Sequence, residues 1–177
     1  MQVYVGRPTN EEGRLPKEIR VYDYLDNLGI EYYRVDHNEA GTMEACEKIE
    51  KDLNTVICKN LFLCNRQKTK FYLLMMPKDK VYRTKDFSPL VNSARLSFGT
   101  EEDMVKYLDV TPGSVSIMGL MNDKDHVIQL AIDKDVIKPD FVGCHPCINT
   151  SSLKIKTSDI LEKYLPSTGH TPIFVEL

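Results

Sequence analysis

Apolar residues recur at helical spacing in several segments of the chain. In KEIRVYDYLDNLG, residues 17–29, they stand three positions apart, at Ile19, Tyr22, Leu25 and Leu28, before Gly29. This spacing predicts an amphipathic helix that ends at the glycine. Further helices are predicted over 42–53, with Thr42 as N-cap, over 100–108, and over 157–165, with Thr157 or Ser158 as N-cap.

The segment VICKNLFLC, residues 56–64, has the apolar run of a strand but carries Lys59 and Asn60 at its centre. We expect it to pair antiparallel with KFYLLMM across the polar turn NRQKTK. Side-chain alternation then places Lys59 on the more apolar face, beside Leu61 and Leu63. Two interpretations remain open: the lysine reaches along apolar surface to water, or it points into a cleft and binds an anion.

IEYYRVDH, HVIQLAID, FVGC and PIFVEL predict four more strands, and their mixture with helices favours an α+β domain. A chain of 177 residues most naturally forms a single domain. We expect residues 1–14 to form an N-terminal arm and residues 15–177 to form the domain. No apolar run approaches the roughly 20 residues of a transmembrane helix, and no secretory signal is evident, so a cytoplasmic protein without membrane contact is expected.

Charge and cysteine content narrow the function classes. A net charge of −3 argues against a protein that coats nucleic acid non-specifically, and DNA is not an expected partner. A local basic surface stays open, since six cations lie close together in sequence: Lys68, Lys70, Lys78, Lys80, Arg83 and Lys85. The five cysteines are odd in number and mostly lie in apolar sequence, which favours reduced thiols.

Three stretches interrupt the apolar elements with polar residues or glycine: Lys59–Asn60, residues 112–120 and residues 145–152. Taken alone, each is explained as readily by a solvated strand or turn as by a binding site. CHPC, residues 144–147, would suit zinc or a redox pair, but a structural zinc site normally needs four ligands and no second CxxC occurs. The residues alone therefore indicate an α+β domain with one candidate cleft.

Together the three stretches resemble a known family, the freestanding prolyl-tRNA editing proteins related to YbaK and to the editing domain of bacterial prolyl-tRNA synthetases. The matching motifs are KNLFL at 59–63, TPGSVSIMGL at 111–120 and HPCINT at 145–150. The likeness covers nearly all of the chain after Arg14, and VYVGRP with VYDYLDNLGIEYYRVDH looks most like the clostridial PrdX branch.

The resemblance implies the YbaK editing-domain fold, a mixed, strongly curved, barrel-like sheet flanked by helices. It also implies trans hydrolysis of mischarged tRNA(Pro), above all Ala-tRNA(Pro), without metal or cofactor. The expected partner is the tRNA(Pro) acceptor end, and prolyl-tRNA synthetase is a second candidate. An alternative is a non-catalytic aminoacyl-tRNA sensor or regulator linked to proline metabolism. A zinc or redox protein built on Cys144 and Cys147 is a third.

By the same resemblance, Lys59, Gly113 and His145 are the expected catalytic residues. Lys59 would contact the 3′ end of the tRNA, the Gly113 loop would approach the aminoacyl carbonyl, and His145 would line the amino-acid pocket or hold the terminal adenosine. The expected substrate-binding residues are Asn60, Ser114, Val115, Ser116, Ile117, Met118, Asn149 and Thr150.

One departure from the family pattern concerns the loop. Ile117 and Met118 stand where the family often has proline and phenylalanine. Because isoleucine does not fix φ as proline does, a less constrained loop and an altered pocket are expected. The amino acid removed is therefore open among alanine, cysteine, serine and other small residues.

Overall fold

Two β-sheets and six short helices make up the fold, in a computed structural model that describes residues 1–177. The helices are α1 Pro16–Asn27, α2 Met43–Leu53, α3 Thr84–Phe87, α4 Glu101–Leu108, α5 Thr157–Asp159 and α6 Leu165–Thr168. The strands are β1 Tyr4–Val5, β2 Tyr32–Asp36, β3 Lys59–Cys64, β4 Phe71–Met76, β5 Ser97–Phe98, β6 Ile128–Asp133, β7 Phe141–Cys144, β8 Ser151–Lys156 and β9 Ile173–Val175. The expected α+β class is confirmed.

The two sheets are separate and open. One has the strand order β1-β2-β8-β7, and the other, which mixes parallel and antiparallel pairs, has the order β5-β3-β4-β6-β9. The strongly curved, barrel-like sheet that the resemblance implied is therefore wrong. Only one isolated bridge, between Ile57 and Gly143, links the segment before β3 to β7. A single bridge does not continue the ladder of hydrogen bonds that a closed barrel requires.

The predicted local elements mostly form where expected. α1 begins at Pro16, a favoured first helical residue, and the Thr42 side chain caps α2 by accepting a 3.2 Å hydrogen bond from Ala45 N. The cap predicted at Thr157 or Ser158 is wrong. The Thr157 hydroxyl instead donates to the carbonyl of Pro139 at 2.6 Å, and the N-cap of α5 is Lys156.

The predicted hairpin is confirmed as β3 paired antiparallel with β4, in the register Lys59 opposite Met76. The main core of 29 buried residues draws on both sheets, with Phe62, Leu73 and Leu130 from one and Leu153 from the other. A second cluster holds Leu63 and Leu74 on the opposite face of the hairpin. The alternation predicted for residues 56–64 is thus seen in the packing.

The N-terminal arm packs on the domain. β1 pairs with β2, and the Met1 ammonium contacts Asp52 Oδ2 at 2.7 Å. The Arg34 guanidinium lies 4.6 Å from the ring centroid of Tyr4 and donates to the Gly6 carbonyl at 3.2 Å. Residues 1–7 therefore belong to the first sheet and its surroundings. None of the helices has the length and apolar character needed to cross a membrane.

Candidate active site

A surface cleft of about 390 Å³ brings the three polar stretches together. Lys59 enters it from the start of β3, Gly113 from the loop after α4, and His145 and Asn149 from the loop between β7 and β8. The expected catalytic residues therefore meet in one cleft, although they are widely separated in sequence.

Lys59 is held inside the structure and does not simply extend into water. The residue is half-buried, and its ammonium donates a hydrogen bond to the backbone carbonyl of Lys80. An ammonium has three N–H donors, so two remain for a ligand in the cleft. Lys80 is fixed in turn by its ion pair with the buried Asp133, at 3.0 Å. The cleft interpretation of the lysine is the one that this geometry favours.

The loop at Gly113 is shaped by a left-handed backbone. Gly113 has φ of 89°, and a side chain added there would begin 3.5 Å from the Asn149 amide nitrogen. The Ser114 hydroxyl closes the turn by donating to the Thr111 carbonyl at 2.9 Å. The backbone N–H groups of Gly113 and Val115 donate to no protein acceptor, and Gly113 lines the cleft.

Ser116 anchors the far end of the same loop. It caps the 3₁₀ helix Ile117–Asn122 by accepting from Met118 N at 3.1 Å, and its hydroxyl donates to the His145 carbonyl at 2.6 Å. The buried Tyr164 hydroxyl donates to the Ile117 carbonyl at 2.8 Å. These hydrogen bonds constrain the loop without a proline at position 117.

Ile117 and Met118 do not line the cleft. Both side chains are fully buried in the main core, because the capped 3₁₀ helix turns them inward. The expectation that they bind the substrate directly is wrong. Val115 packs against the same core. The departure from the family pattern at these two positions therefore lies in the core and not in the cleft wall.

His145 is held as a neutral imidazole with a fixed orientation. Its Nδ1 lies 2.9 Å from the Ser151 carbonyl, an acceptor, so the proton sits on Nδ1 and Nε2 is left as an acceptor. Burial lowers the pKa of His145, and the nearby His37 lowers it further, while the Ser151 carbonyl opposes them. The rings of His37 and His145 lie 6.3 Å apart.

A partly buried polar network supports the His145 loop, and sequence reasoning missed it. The Ser151 hydroxyl donates to Asp36 Oδ1 at 2.6 Å, and Arg14 Nη2 donates to Asp36 Oδ2 at 2.9 Å. Glu18 joins through Arg14 at 2.8 Å. These residues come from the arm, α1, β2 and β8, so no sequence spacing identifies the network. Lys78 and Glu50, an ion pair in the cleft wall, were missed for the same reason.

The other expected site residues lie around the cleft. Ser114 and Thr150 line an adjoining cleft of about 510 Å³, which shares Asn149 with the first. Asn60 lines neither cleft; its amide donates to the Cys58 carbonyl at 3.3 Å, and its buried Oδ1 has no partner. The Asn60 side chain therefore contacts the backbone next to Lys59 and not the cleft.

The cysteines of CHPC are buried thiols. Cys144 and Cys147 are both free and inaccessible, and burial raises the pKa of each, that of Cys147 to about 12. Such thiols are protonated and unreactive at neutral pH. No group of three or more histidine, cysteine, aspartate or glutamate side chains has the geometry to hold a metal ion. The geometry gives the zinc or redox alternative no support.

Comparison with known sequences decides the family. The sequence model of the aminoacyl-tRNA editing domain matches residues 37–163. The chain belongs to the aminoacyl-tRNA editing domain family. The match contains all three polar stretches and every residue that meets in the cleft.

The chain is also similar to individual proteins whose names refer to prolyl-tRNA editing or prolyl-tRNA synthetase. It is 33% identical over 153 residues to the prolyl-tRNA editing protein ProX of Acetoanaerobium sticklandii, covering 86% of this chain and 93% of the relative. It is 26% identical to the prolyl-tRNA synthetase associated domain-containing protein 1 of Danio rerio, over 91% of this chain and 86% of the relative. The fold matches that of a crystallised candidate trans-editing enzyme for prolyl tRNA synthetase, with a TM-score of 0.67, 14% identity, and coverage of 92% and 98%.

Proposed function

We propose that the protein hydrolyses the aminoacyl ester of mischarged tRNA(Pro) in trans, with Ala-tRNA(Pro) as the preferred substrate. The observation that carries the proposal is the convergence of Lys59, Gly113 and His145 on one cleft in an aminoacyl-tRNA editing domain. The relatedness to a prolyl-tRNA editing protein over most of both chains supports tRNA(Pro) as the substrate.

Lys59 would bind the 3′-terminal phosphate or ribose of the tRNA. Its hydrogen bond to the Lys80 carbonyl fixes the ammonium at the cleft wall before substrate arrives. Preorganised charge of this kind positions the ester without further loss of side-chain freedom. Lys78 lies in the same cleft, but its charge is compensated by Glu50, which leaves Lys59 as the cation for the substrate.

The Gly113 loop would stabilise charge on the reacting carbonyl. The free N–H groups of Gly113 and Val115 can donate to the oxyanion that forms when water adds to the ester. Glycine at position 113 leaves room for the substrate to approach the backbone. The acyl C–O bond then breaks, the departing ribose oxygen takes up the proton lost by the attacking water, and the products are the free amino acid and the tRNA with a free terminal hydroxyl.

Water is the nucleophile in this proposal. Cys58 is the buried thiol at the cleft, and burial raises its pKa to about 12, so it is not a thiolate at neutral pH. His145 would orient the terminal adenosine or the amino acid through Nε2. The ribose hydroxyl next to the ester would help to activate the water, so the reaction needs no metal ion and no nucleophile from the protein.

The test is single-turnover deacylation of Ala-, Cys-, Ser- and Pro-tRNA(Pro), with EDTA present. We expect rapid loss of Ala-tRNA(Pro) and sparing of Pro-tRNA(Pro). Lys59→Ala should slow the reaction by about 100-fold, the usual cost of losing one preorganised charged donor. Lys124→Ala is the matched control, since Lys124 is exposed in a turn outside the cleft, and it should retain the wild-type rate.

The outcomes separate this proposal from its alternatives. Rapid loss of Cys- or Ser-tRNA(Pro) instead would keep the reaction and change the amino acid. Binding of aminoacyl-tRNA without hydrolysis of any species, by a folded protein, would contradict the enzyme and support the sensor. Loss of activity in EDTA, restored by a divalent metal, would contradict the metal-independent mechanism.

A further inference from the structure

A separate cleft, of about 490 Å³, lies on the surface around α3 and the 3₁₀ helix Ser88–Val91. It shares no lining residue with the cleft of Lys59, Gly113 and His145, which we call the editing cleft after its proposed function. Three cations line it, Arg83, Lys85 and Arg95, and no acidic or apolar side chain faces it except Pro89. In a chain of net charge −3, this is a strongly basic local surface.

The positive charge of this cleft is uncompensated. Of the six cations that the sequence groups together, Lys68, Lys78 and Lys80 form ion pairs with carboxylates. Arg83 and Lys85 form none, and neither does Arg95, which the fold brings beside them. Like charges gathered without a counter-charge repel one another, and an anionic partner relieves that repulsion.

The cleft has a fixed framework. The Thr84 hydroxyl donates to the Leu96 carbonyl at 2.9 Å and accepts from Leu96 N at 3.2 Å, and the buried Ser88 hydroxyl accepts from the same N–H at 3.1 Å. These bonds hold the backbone next to Arg95 against α3. The three cationic side chains therefore extend from positions that are set before any ligand binds.

The basic cleft is joined to the editing cleft by a short segment of chain. The Lys80 carbonyl accepts the hydrogen bond of Lys59, and Arg83 follows only three residues later. Three residues span at most about 10 Å. Phe98, which is 64% exposed on β5, contacts Tyr82 within this segment, with ring centroids 5.7 Å apart. Exposed aromatic rings beside cations are typical of surfaces that bind nucleic acid.

We propose that Arg83, Lys85 and Arg95 bind the phosphate backbone of the tRNA acceptor arm whose 3′ end enters the editing cleft. The inference rests on the proposed function for the identity of the RNA. Contacts to phosphate position a nucleic acid without reading its sequence. The basic cleft thus supplies affinity and register, while the cleft at Lys59 performs the chemistry.

The test measures binding of uncharged tRNA(Pro) by fluorescence anisotropy over a KCl series. The variant combines Arg83→Ala, Lys85→Ala and Arg95→Ala. The association constant K falls as salt rises, and three lost phosphate contacts should make the slope of log K against log [salt] less negative by about 2 to 3. Binding should also weaken by about tenfold or more. An unrelated tRNA should lose affinity to the same extent, because the contacts are independent of sequence.

The control variant combines Lys106→Ala, Lys124→Ala and Lys163→Ala, which removes the same charge from exposed positions outside the cleft. It should bind as the wild type does. Wild-type affinity and slope in the first variant would overturn the proposal, and so would an equal loss in both variants. Thermal unfolding of both variants checks that each is folded.

A short substrate distinguishes this failure from failure of the proposed function. Alanyl-CCA trinucleotide is too short to reach far beyond the editing cleft, so wild type and first variant should hydrolyse it at equal rates. Absence of hydrolysis by both would contradict the editing function and leave the tRNA-binding result to decide the basic cleft. A slower rate for the first variant alone would mean that its cations act at the editing cleft, and would overturn a separate backbone site.

Discussion

The Ser116 hydroxyl donates a 2.6 Å hydrogen bond to the backbone carbonyl of His145, 29 residues away in sequence. The same oxygen accepts from Met118 N, so one buried side chain ties the Gly113 loop to the His145 loop. Both loops contribute to the editing cleft. Their relative position therefore depends on a residue that does not line the cleft.

Ser116→Ala should lower the free energy of unfolding by about 1–3 kcal/mol, because a buried carbonyl and a helix N–H both lose their partner. Denaturant unfolding measures the change. Ser158→Ala is the matched control, since Ser158 is exposed, and it should change stability by less than about 0.5 kcal/mol. Equal stability of both variants would contradict the anchoring role.

Gly113→Ala should destabilise the protein by about 1–2 kcal/mol, because φ of 89° is unfavourable for a residue with a Cβ. The new methyl group would also lie toward Asn149 in the cleft, so deacylation should fall with it. For stability, Gly41→Ala is the control: its Cβ would meet no atom within 4 Å and its φ is ordinary. A fully stable and active Gly113→Ala would contradict the close-approach role.

The pKa of His145 should lie below its ordinary value of 6.5, because burial and the neighbouring His37 both disfavour the imidazolium. Titration of the imidazole carbon-bound protons by NMR measures it. His37→Gln should move the pKa of His145 upward, since one source of repulsion is gone. His126→Gln, at a distant position beside His170, should leave it in place.

The lowered pKa of His145 also makes the stability of the fold depend on pH. The folded protein binds the His145 proton less readily than the unfolded chain does. Protonation thus favours unfolding, and the contribution of His145 to stability falls as the pH drops below about 6.5. A measured pKa above 6.5 would contradict the buried, neutral state of this side chain.

Asp36 should contribute to stability at neutral pH and lose that contribution in acid. Burial alone would raise its pKa, but hydrogen bonds from Arg14, Arg34 and Ser151 outweigh burial and lower it. A lowered carboxyl pKa stabilises the fold above the unfolded value of about 3.9, and the effect is lost as the pH falls through the folded value.

Asp36→Asn should therefore cost about 1–2 kcal/mol at pH 7, allowing for the partial exposure of the pair, and flatten the loss of stability below about pH 4. Urea unfolding from pH 7 to pH 3 measures both effects. Asp125→Asn, in an exposed turn, should follow the wild-type curve. The network is unimportant for stability if Asp36→Asn also follows that curve.

The sequence allows local elements to be predicted well and long-range geometry poorly. Periodicity suffices for α1, the acidic residues of its first turn indicate α4, and a threonine followed by a helical pattern suffices for the cap at Thr42. β8 was not predicted, because its serines and lysines give a weak alternation. Its position between β2 and β7 depends on partners such as Tyr32, which pairs with Ile155.

The sequence motifs allowed the main residues of the site to be predicted, but not the packing around them. Lys59, Gly113 and His145 were identified by their resemblance to a family pattern, and the cleft brings them together. The burial of Ile117 and Met118 could not be read from a loop motif, since it depends on the capping bond of Ser116. The position of Arg95 beside Arg83 was missed because it depends on hydrogen bonds of Thr84 and Ser88 with the Leu96 backbone, which no sequence pattern indicates.

The pairing of β2 with β8 has a consequence for how the chain folds during synthesis. Tyr32 pairs with Ile155, so the first sheet cannot assemble until β8 has been made, long after β2. The β3–β4 hairpin, which carries Lys59, closes over a few residues and can form far earlier. A nascent chain thus exposes the hairpin face that packs in the main core until β8 is made, and the editing cleft is completed only once Asn149 has been translated.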